Sequence, residues 1–125
     1  MIVGIGVDAV EIDRFRRSLE RTPSMKTRLF THEELEYVEP QIDPTASLAA
    51  RFAAREAVKA MGVGLGAFEF HDVWVQRADS GRPMLAVTGR AEQIANELGV
   101  TDWHLSITHT DTTAIAYVIA VRSLL

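Results

Sequence analysis

Cysteine is absent from this sequence of 125 residues. Disulfide bonds, thiolate zinc sites and cysteine nucleophiles are therefore excluded. Aromatic residues are few, at 7%, and no run of residues is long and apolar enough to span a bilayer. The short apolar start contains Asp8 and has no basic lead-in, so we do not expect a signal peptide. Together these absences favour a cytoplasmic protein that has no membrane partner.

The formal net charge is −4, so an excess of basic residues is also missing. A general nucleic-acid-binding protein needs a basic surface, and we therefore expect no nucleic-acid partner. An anionic ligand stays compatible with this charge, because a few local Lys and Arg side chains can outweigh it. The chain length suits one compact domain over residues 1–125.

The pattern of apolar residues, caps and turns predicts both helices and strands. Apolar residues that repeat with a helical or an alternating period define the elements. We predict helices over Glu11–Arg21, His32–Val38, Thr45–Met61 and Gly89–Leu98, and strands over Ile2–Val10, Phe70–Arg77, Met84–Val87, Trp103–Thr108 and Thr113–Val121. The first strand is expected to be buried on both faces, and the second and third to form a hairpin. The prediction is an α+β fold, in which an antiparallel-rich sheet packs with one long helix.

Asp8 is an acidic residue within an apolar strand. An unpaired carboxylate in such a place costs several kcal/mol, so a cation, an arginine or a metal ion is expected to compensate it. The alternative is a charge at the strand end that meets solvent or caps the following helix.

Glu56 lies on the longest predicted helix, near Arg51, Arg55 and Lys59. One interpretation is a solvated helix face with local ion pairs, each worth about 0.3–0.5 kcal/mol. The other is that Glu56 and Asp8 converge on Mg²⁺, which binds one or two carboxylates together with waters and substrate phosphates. The basic neighbours would then contact phosphate oxygens.

The segment HLSITH, residues 104–109, is predicted to be a strand in which His104, Ser106 and Thr108 share a face. His109 falls on the opposite face. A serine hydrolase is disfavoured, because the G-x-S-x-G turn is missing. The glycine-rich run from Gly62 to Gly66 follows a helix, so it offers no helix N-terminus to a phosphate and is not a P-loop.

Five segments in order carry a resemblance over almost the whole chain: GIGVDAVEIDRF, RLFTHEEL, RFAAREAVKAMGVGLG, SGRP and HLSITHTDTTAIAYVIAV. The chain resembles the holo-[acyl-carrier-protein] synthase family of the 4′-phosphopantetheinyl transferase superfamily. The resemblance implies transfer of 4′-phosphopantetheine from coenzyme A to a serine of apo-acyl carrier protein, for fatty acid biosynthesis. The other product would be adenosine 3′,5′-bisphosphate. It also implies a homotrimer with active sites at the subunit interfaces.

The resemblance also implies roles for individual residues. Asp8 and Glu56 match the family's Mg²⁺ ligands. The proton acceptor would be Lys59 or a water assisted by Glu56, and His109 would contact coenzyme A phosphate and complete the catalytic set. Further nucleotide contacts are expected from Arg51, Ser106 and Thr108.

The chain departs from the family pattern next to Glu56. Lys59 follows Glu56 by three residues where the family commonly has four, and Arg55 stands where lysine is usual. On an ideal helix this moves the lysine by about 100° around the axis. The identity of the proton acceptor therefore stays open.

Carrier proteins of related systems are acidic, and the first predicted helix is basic. We expect the carrier to dock on a surface that includes Arg14, Arg17 and Arg21, the alternative being a solvated helix face. Two other functions stay open. One is a Mg²⁺-dependent nucleotide pyrophosphatase, and the other is a non-catalytic oligomer that binds a nucleotide or a partner protein.

Overall fold

The structure, a computed structural model, describes residues 1–62 and 68–124. Its elements in chain order are β1 (Ile2–Glu11), α1 (Ile12–Arg21), α2 (Met25–Leu29), α3 (His32–Val38), α4 (Thr45–Ala60), β2 (Val73–Arg77), β3 (Pro83–Val87), α5 (Gly89–Glu97), β4 (Asp102–His109) and β5 (Thr113–Val121). The predicted α+β class is confirmed. Most of the glycine-rich run from Gly62 to Gly66 lies outside the described residues.

Every strand pairing among the described residues is antiparallel, as predicted. Strands β1, β5 and β4 form a sheet in that order, and β2 and β3 form the expected hairpin. Asp8 pairs with Ala116, which in turn pairs with Ile107, so these three side chains share one face. We call this the inner face, because its β5 residues are fully buried against α4: Ala114, Ala116, Val118 and Ala120.

Helix α4 approaches β1 very closely at Gly6. A Cβ atom placed on Gly6 would overlap the carbonyl oxygen of Ala57. Ala53 and Ala57 are fully buried on the same helix, so small side chains keep the two backbones close. This close packing places the face of α4 that carries Glu56 next to the end of β1 that carries Asp8.

A second cluster of apolar side chains joins α1, α2, α3 and the first half of α4. Its fully buried members include Phe30, Val38 and Leu48. Helix α3 begins with the predicted capping box, in which the Thr31 hydroxyl accepts the Glu34 N–H and the Glu34 carboxylate accepts the Thr31 N–H. The cluster fixes α1 and α4 on the inner side of the sheet.

The outer face of the sheet differs from the prediction. Strand β1 is predicted to be buried on both faces, but Ile5 and Val7 are 48% and 51% exposed. They pair with Ile119 and Tyr117, which lie on the same outer face. In the described part of the chain the helices that pack on this sheet do so on its inner face, so burial of both faces is wrong for a single chain.

Two smaller differences concern local structure. Residues Phe70–Asp72 form a 3₁₀ turn, so β2 begins three residues later than predicted. Helix α2 is not predicted, because its five residues after Pro23 are too few to show a period. None of the helices among the described residues combines the length and the apolar character that crossing a bilayer requires.

Candidate active site

A cleft of about 560 Å³ opens between the end of β1, helix α1 and helix α4. Its rim carries Asp8 from β1, Arg14 from α1 and Glu56 from α4. Strand β1 ends where α1 begins, and α4 crosses the inner face of the sheet directly beside it. Three separate elements thus bring three carboxylates, since Glu11 at the end of β1 also lines the cleft, and one guanidinium to the same opening.

The floor of this cleft is apolar. Phe15 and Phe52 line it with their ring centroids 5.3 Å apart, and Met25 adds a flexible thioether side chain. Phe52 precedes Glu56 by one helical turn, so the two share a face of α4. The cleft therefore offers an apolar surface beside charged side chains.

Asp8 and Glu56 are close enough for their charges to interact. Burial raises the pKa of Asp8, the negative charge of Glu56 raises it further, and the Ala9 N–H lowers it in part. A cation that binds both carboxylates would relieve the repulsion that raises the pKa of Asp8.

This pair fits Mg²⁺, because that ion prefers hard oxygen ligands and usually binds one or two carboxylates of a protein. Although Glu11 also lines the cleft, no group of three or more His, Cys, Asp or Glu side chains within residues 1–62 and 68–124 is arranged to hold a metal ion, so the candidate ligands are the pair alone. That donor set leaves coordination positions for water and phosphate oxygens.

Lys59 contacts Glu56 despite the three-residue step. The Lys59 Nζ lies 3.9 Å from Glu56 Oε1, and both side chains are half-buried. The same Nζ lies 5.5 Å from the centroid of the Phe68 ring and 5.2 Å from that of Phe70. The predicted lysine and the predicted metal ligand are thus in contact, although Lys59 is not among the residues that line the cleft.

Arg51 is not brought to the cleft. Its side chain is 1% exposed, its Nη1 donates to the Ser47 carbonyl over 3.1 Å, and its guanidinium lies 4.6 Å above the Tyr37 ring. Arg51 precedes Glu56 by five residues, which places it about 140° away around the helix. The structure gives Arg51 a packing position, and its predicted nucleotide contact gains no support from a single chain.

Arg55 is buried as well, opposite Glu34. Its Nη2 lies 3.6 Å from Glu34 Oε1, and its Nε donates to the Val73 carbonyl over 3.0 Å. Glu34 Oε2 also accepts the Val75 N–H over 3.0 Å. This group of contacts, which we call the Arg55 clamp, ties α4 to α3 and β2.

The residues predicted on β4 lie apart from the cleft. His104, Ser106 and Thr108 point to the outer face, as the strand period predicts, and are exposed. His109 lies on the inner side and is also exposed, but β5 separates β4 from β1 by about 10 Å. One chain therefore does not bring Ser106, Thr108 or His109 to its own Asp8.

Arg14 and Ser18 line the cleft, although the sequence pattern predicts neither of them there. The pattern assigns Arg14 to carrier docking alone. The signal available is the short distance along the chain, because a residue in the first turn of α1 lies close to the end of β1. Residues four apart on a helix share a face, which accounts for Ser18.

Arg14, Arg17 and Arg21 are exposed and recur at helical spacing on α1. Arg16 differs from them, because its Nη1 lies 2.9 Å from Asp43 Oδ2 and holds the loop before α4. The exposed basic row, which we call the α1 stripe, begins at the rim of the cleft with Arg14 and continues away from it.

Comparisons with known proteins agree on one family. Residues 4–118 match the family model of the 4′-phosphopantetheinyl transferase superfamily. A holo-[acyl-carrier-protein] synthase from Micrococcus luteus is 49% identical over 125 residues, covering 98% of this chain and 94% of the relative. One from Streptomyces avermitilis is 51% identical over 121 residues, covering 95% and 97%.

A solved structure is similar over the same extent. The holo-(acyl-carrier-protein) synthase from Bacillus anthracis, in complex with CoA (3′,5′-ADP), superposes with a TM-score of 0.77 at 32% identity. The match covers 98% of this chain and 99% of that chain. The strand order and the helix positions described above are therefore those of an established enzyme fold.

Proposed function

The chain belongs to the holo-[acyl-carrier-protein] synthases of the 4′-phosphopantetheinyl transferase superfamily, and we propose that it transfers 4′-phosphopantetheine from coenzyme A to a serine of apo-acyl carrier protein. The other product is adenosine 3′,5′-bisphosphate. The observation that carries this proposal is the pair of carboxylates, Asp8 and Glu56, at one cleft in a chain that matches the family over nearly its full length. The coenzyme A complex of the Bacillus anthracis relative supports the choice of donor.

Asp8 and Glu56 are the residues that would hold Mg²⁺. When bound there, the ion would neutralise charge on the pyrophosphate of coenzyme A. The repulsion between the two carboxylates supports this role, since it is relieved when a cation binds both. Without a cation the same repulsion would oppose the approach of an anionic substrate.

The reaction forms one bond and breaks one. The serine Oγ of the carrier bonds to the phosphorus that bears the pantetheine arm, and the bond from that phosphorus to the bridging oxygen breaks. Adenosine 3′,5′-bisphosphate leaves with that oxygen, and the serine proton must be taken up. Lys59 and a water held by Glu56 are the two candidate acceptors. Positioning and charge stabilisation supply most of the catalysis in such transfers.

Arg14 and Lys59 supply positive charge beside the carboxylates. Arg14 lies on the rim of the cleft, and Lys59 contacts Glu56. Guanidinium and ammonium groups form charge-assisted hydrogen bonds with phosphate oxygens. We assign both residues to the anionic part of coenzyme A, and the apolar floor formed by Phe15 and Phe52 to less polar atoms of the two substrates.

We propose that three copies assemble through the outer face of the sheet. Ile5, Val7 and Tyr117 are each about half exposed there and form a contiguous apolar surface. Such a patch is typical of a subunit interface. Ser106 and Thr108 lie on the same face, so assembly would place them beside a neighbouring subunit. His109 ends the same strand, and a shared site accounts for the separation of β4 from the cleft of its own chain.

We propose further that the α1 stripe binds the acidic carrier. Arg17 and Arg21 extend the stripe away from the cleft, and Arg14 connects it to the site of transfer. A carrier that docks on this stripe would have its serine close to Asp8 and Glu56. Charge complementarity of this kind speeds association and fixes the orientation of the partner.

Mass spectrometry of apo-acyl carrier protein incubated with coenzyme A, Mg²⁺ and this protein tests the proposed reaction. Transfer adds the mass of one phosphopantetheinyl group to the carrier and requires its acceptor serine. The matched control is Asp8→Asn. Cleavage of coenzyme A with no gain in carrier mass would indicate a pyrophosphatase, and binding of coenzyme A without turnover would indicate a non-catalytic module.

A further inference from the structure

Two phenylalanine rings flank the ammonium of Lys59. Its Nζ lies 5.2 Å from the ring centroid of Phe70 and 5.5 Å from that of Phe68, within the range of a cation–π interaction. The third neighbour is the Glu56 carboxylate, with Oε1 3.9 Å from Nζ. The ammonium is therefore bounded by two aromatic rings and one metal-ligand candidate.

The half-buried Phe70 ring also lies near a second, fully buried cation. The Arg55 guanidinium lies 6.0 Å from the centroid of this ring, and Arg55 is held by the Val73 carbonyl and by Glu34. Arg55 and Lys59 are four residues apart on α4, so one ring is shared by two cations of the same helix face. The Arg55 clamp thus lies near the same ring that contacts the Lys59 ammonium.

Lysine side chains are long and lose considerable rotamer freedom when they are held in one place. On α4 the three-residue step from Glu56 sets the direction of Lys59 around the helix, and the rings determine where its charged end lies. The face of an aromatic ring attracts a cation electrostatically. The contacts around Nζ therefore suit a charged group that stays in place throughout the reaction.

We propose that Phe68 and Phe70 are positioning residues that hold the Lys59 ammonium beside Glu56 as a fixed positive charge for the pyrophosphate of coenzyme A. The choice of substrate rests on the proposed function. The contact of the Lys59 ammonium with the Phe68 and Phe70 rings, which we call the aromatic seat, does not. Under this assignment Lys59 is not the proton acceptor, and the serine proton goes to a water held by Glu56.

The seat is tested first without substrate. Protons above a ring face are shifted upfield, so the Lys59 ε-CH₂ signals, identified by their loss in Lys59→Arg, should be upfield of those of an exposed lysine such as Lys26. Phe70→Leu and Phe68→Leu should each move them towards the Lys26 position. Lys59 signals that match those of Lys26 in the unmodified protein would overturn the seat.

The second test uses fluorinated phenylalanines at position 70. These residues keep the size of the ring and weaken its negative face step by step. We expect KM for coenzyme A to rise with each fluorine, by about 2- to 5-fold over the series, while kcat changes less. Phe70→Tyr, which keeps the ring face, should stay near the unmodified value. A KM that is flat across the series would contradict the proposal, because a purely structural ring would behave in that way.

The third test separates a fixed charge from a proton acceptor. Arginine is never deprotonated in a protein, so Lys59→Arg keeps a charge but cannot accept a proton. We expect Lys59→Arg to retain activity within about tenfold and Lys59→Met to lose about 100-fold. Equal losses in both variants would remove the fixed-charge role. If the unmodified protein transfers nothing while the ε-CH₂ signals are shifted, the proposed function fails and the seat stands.

Discussion

Gly6 of β1 lies so close to α4 that a Cβ atom on Gly6 would overlap the carbonyl oxygen of Ala57. This contact sets the separation of the strand that carries Asp8 from the helix that carries Glu56. A larger residue at position 6 must push the helix away from the sheet, which costs packing energy in a region of fully buried alanines.

We expect Gly6→Ala to lower the free energy of unfolding by about 1–3 kcal/mol, the usual cost of overpacking a well-packed core. Affinity for Mg²⁺ should fall in the same variant, because its two carboxylates move apart. Urea denaturation and magnesium titration by calorimetry check the two effects. A variant with unchanged stability and unchanged Mg²⁺ affinity would show that the separation of β1 from α4 is not set at Gly6.

Asp8→Asn should stabilise the metal-free protein while it abolishes most of the activity. The pKa of Asp8 is raised in the fold, first by burial and then by Glu56. The folded state therefore binds the proton more tightly than the unfolded state, and stability is lost as pH rises from the unfolded to the folded pKa. The Asp8→Asn variant does not lose this stability, because asparagine does not ionise. The melting temperature of the variant in EDTA should therefore exceed that of the unmodified protein at pH 7.

The stability difference should close when the pH falls below the ordinary pKa of aspartate, because Asp8 is then protonated in both states. Glu56→Gln is the matched control and should give a smaller gain, since burial of Asp8 is the larger cause. Transfer should fall by a factor on the order of 100 or more in Asp8→Asn. A stability difference between Asp8→Asn and the unmodified protein that persists at low pH would contradict the assignment of this difference to ionisation of Asp8.

Glu34→Gln should destabilise the fold strongly. The change leaves the buried Arg55 guanidinium without its countercharge, which typically costs about 3–5 kcal/mol. Glu33→Gln is the matched control on the same helix, where the side chain is exposed and the expected change is within about 0.5 kcal/mol. Equal unfolding free energies for the two variants, measured in urea at pH 7, would show that the pair contributes nothing.

Charge reversal on the α1 stripe should weaken carrier binding and leave coenzyme A binding intact. Arg17→Glu and Arg21→Glu lie away from the cleft lining, and each should reduce carrier affinity by about tenfold at low ionic strength, with a smaller effect in high salt. Arg14→Glu should weaken both carrier and coenzyme A binding, because Arg14 lies on the rim of the cleft. Surface plasmon resonance with immobilised carrier, and calorimetry with coenzyme A, separate the two effects.

Tyr117→Asp should disrupt the proposed trimer. A carboxylate in the middle strand of the outer face would lose its hydration when three copies associate, which is costly. The matched control is Ile42→Asp, at an apolar residue that is 105% exposed and lies in the loop before α4. Sedimentation velocity should show a smaller species only for Tyr117→Asp, and that variant should lose transfer activity if sites are shared between subunits. A trimeric Tyr117→Asp protein would place the interface elsewhere.

The parts of the structure that the sequence predicts well are those set by neighbouring residues. The capping box at Thr31 and Glu34 is contained in four consecutive residues, and α3 begins there as expected. The split of residues 104–109 between two faces follows from the strand period alone.

Other features depend on distant parts of the chain and are harder to predict from the sequence. Arginine is rarely buried, so nothing local indicates that Arg51 and Arg55 lie inside the protein. The sequence does not predict the exposure of Ile5 and Val7 either. An apolar strand has the same sequence pattern whether its outer face packs against its own chain or against another copy. The pairing of Asp8 with Glu56 is one of two open interpretations until the resemblance favours it, since only the packing of β1 against α4 brings them together.

Arg55 and Glu56 are adjacent in the chain and about 100° apart around α4, one in the Arg55 clamp and the other at the cleft. The Arg55 clamp therefore fixes the direction in which Glu56 points from the helix. The effect of a change in helix length depends on where along α4 the change is made. Inserting one residue between the two would rotate Glu56 by about 100° relative to the clamp and away from Asp8. The same change after Val58 leaves the clamp, the carboxylate and the contact of Ala57 with Gly6 in place, and it moves Lys59 relative to Glu56. A change in length beyond Val58 should therefore cost the proposed metal ligands little, whereas a change between Arg55 and Glu56 should separate them.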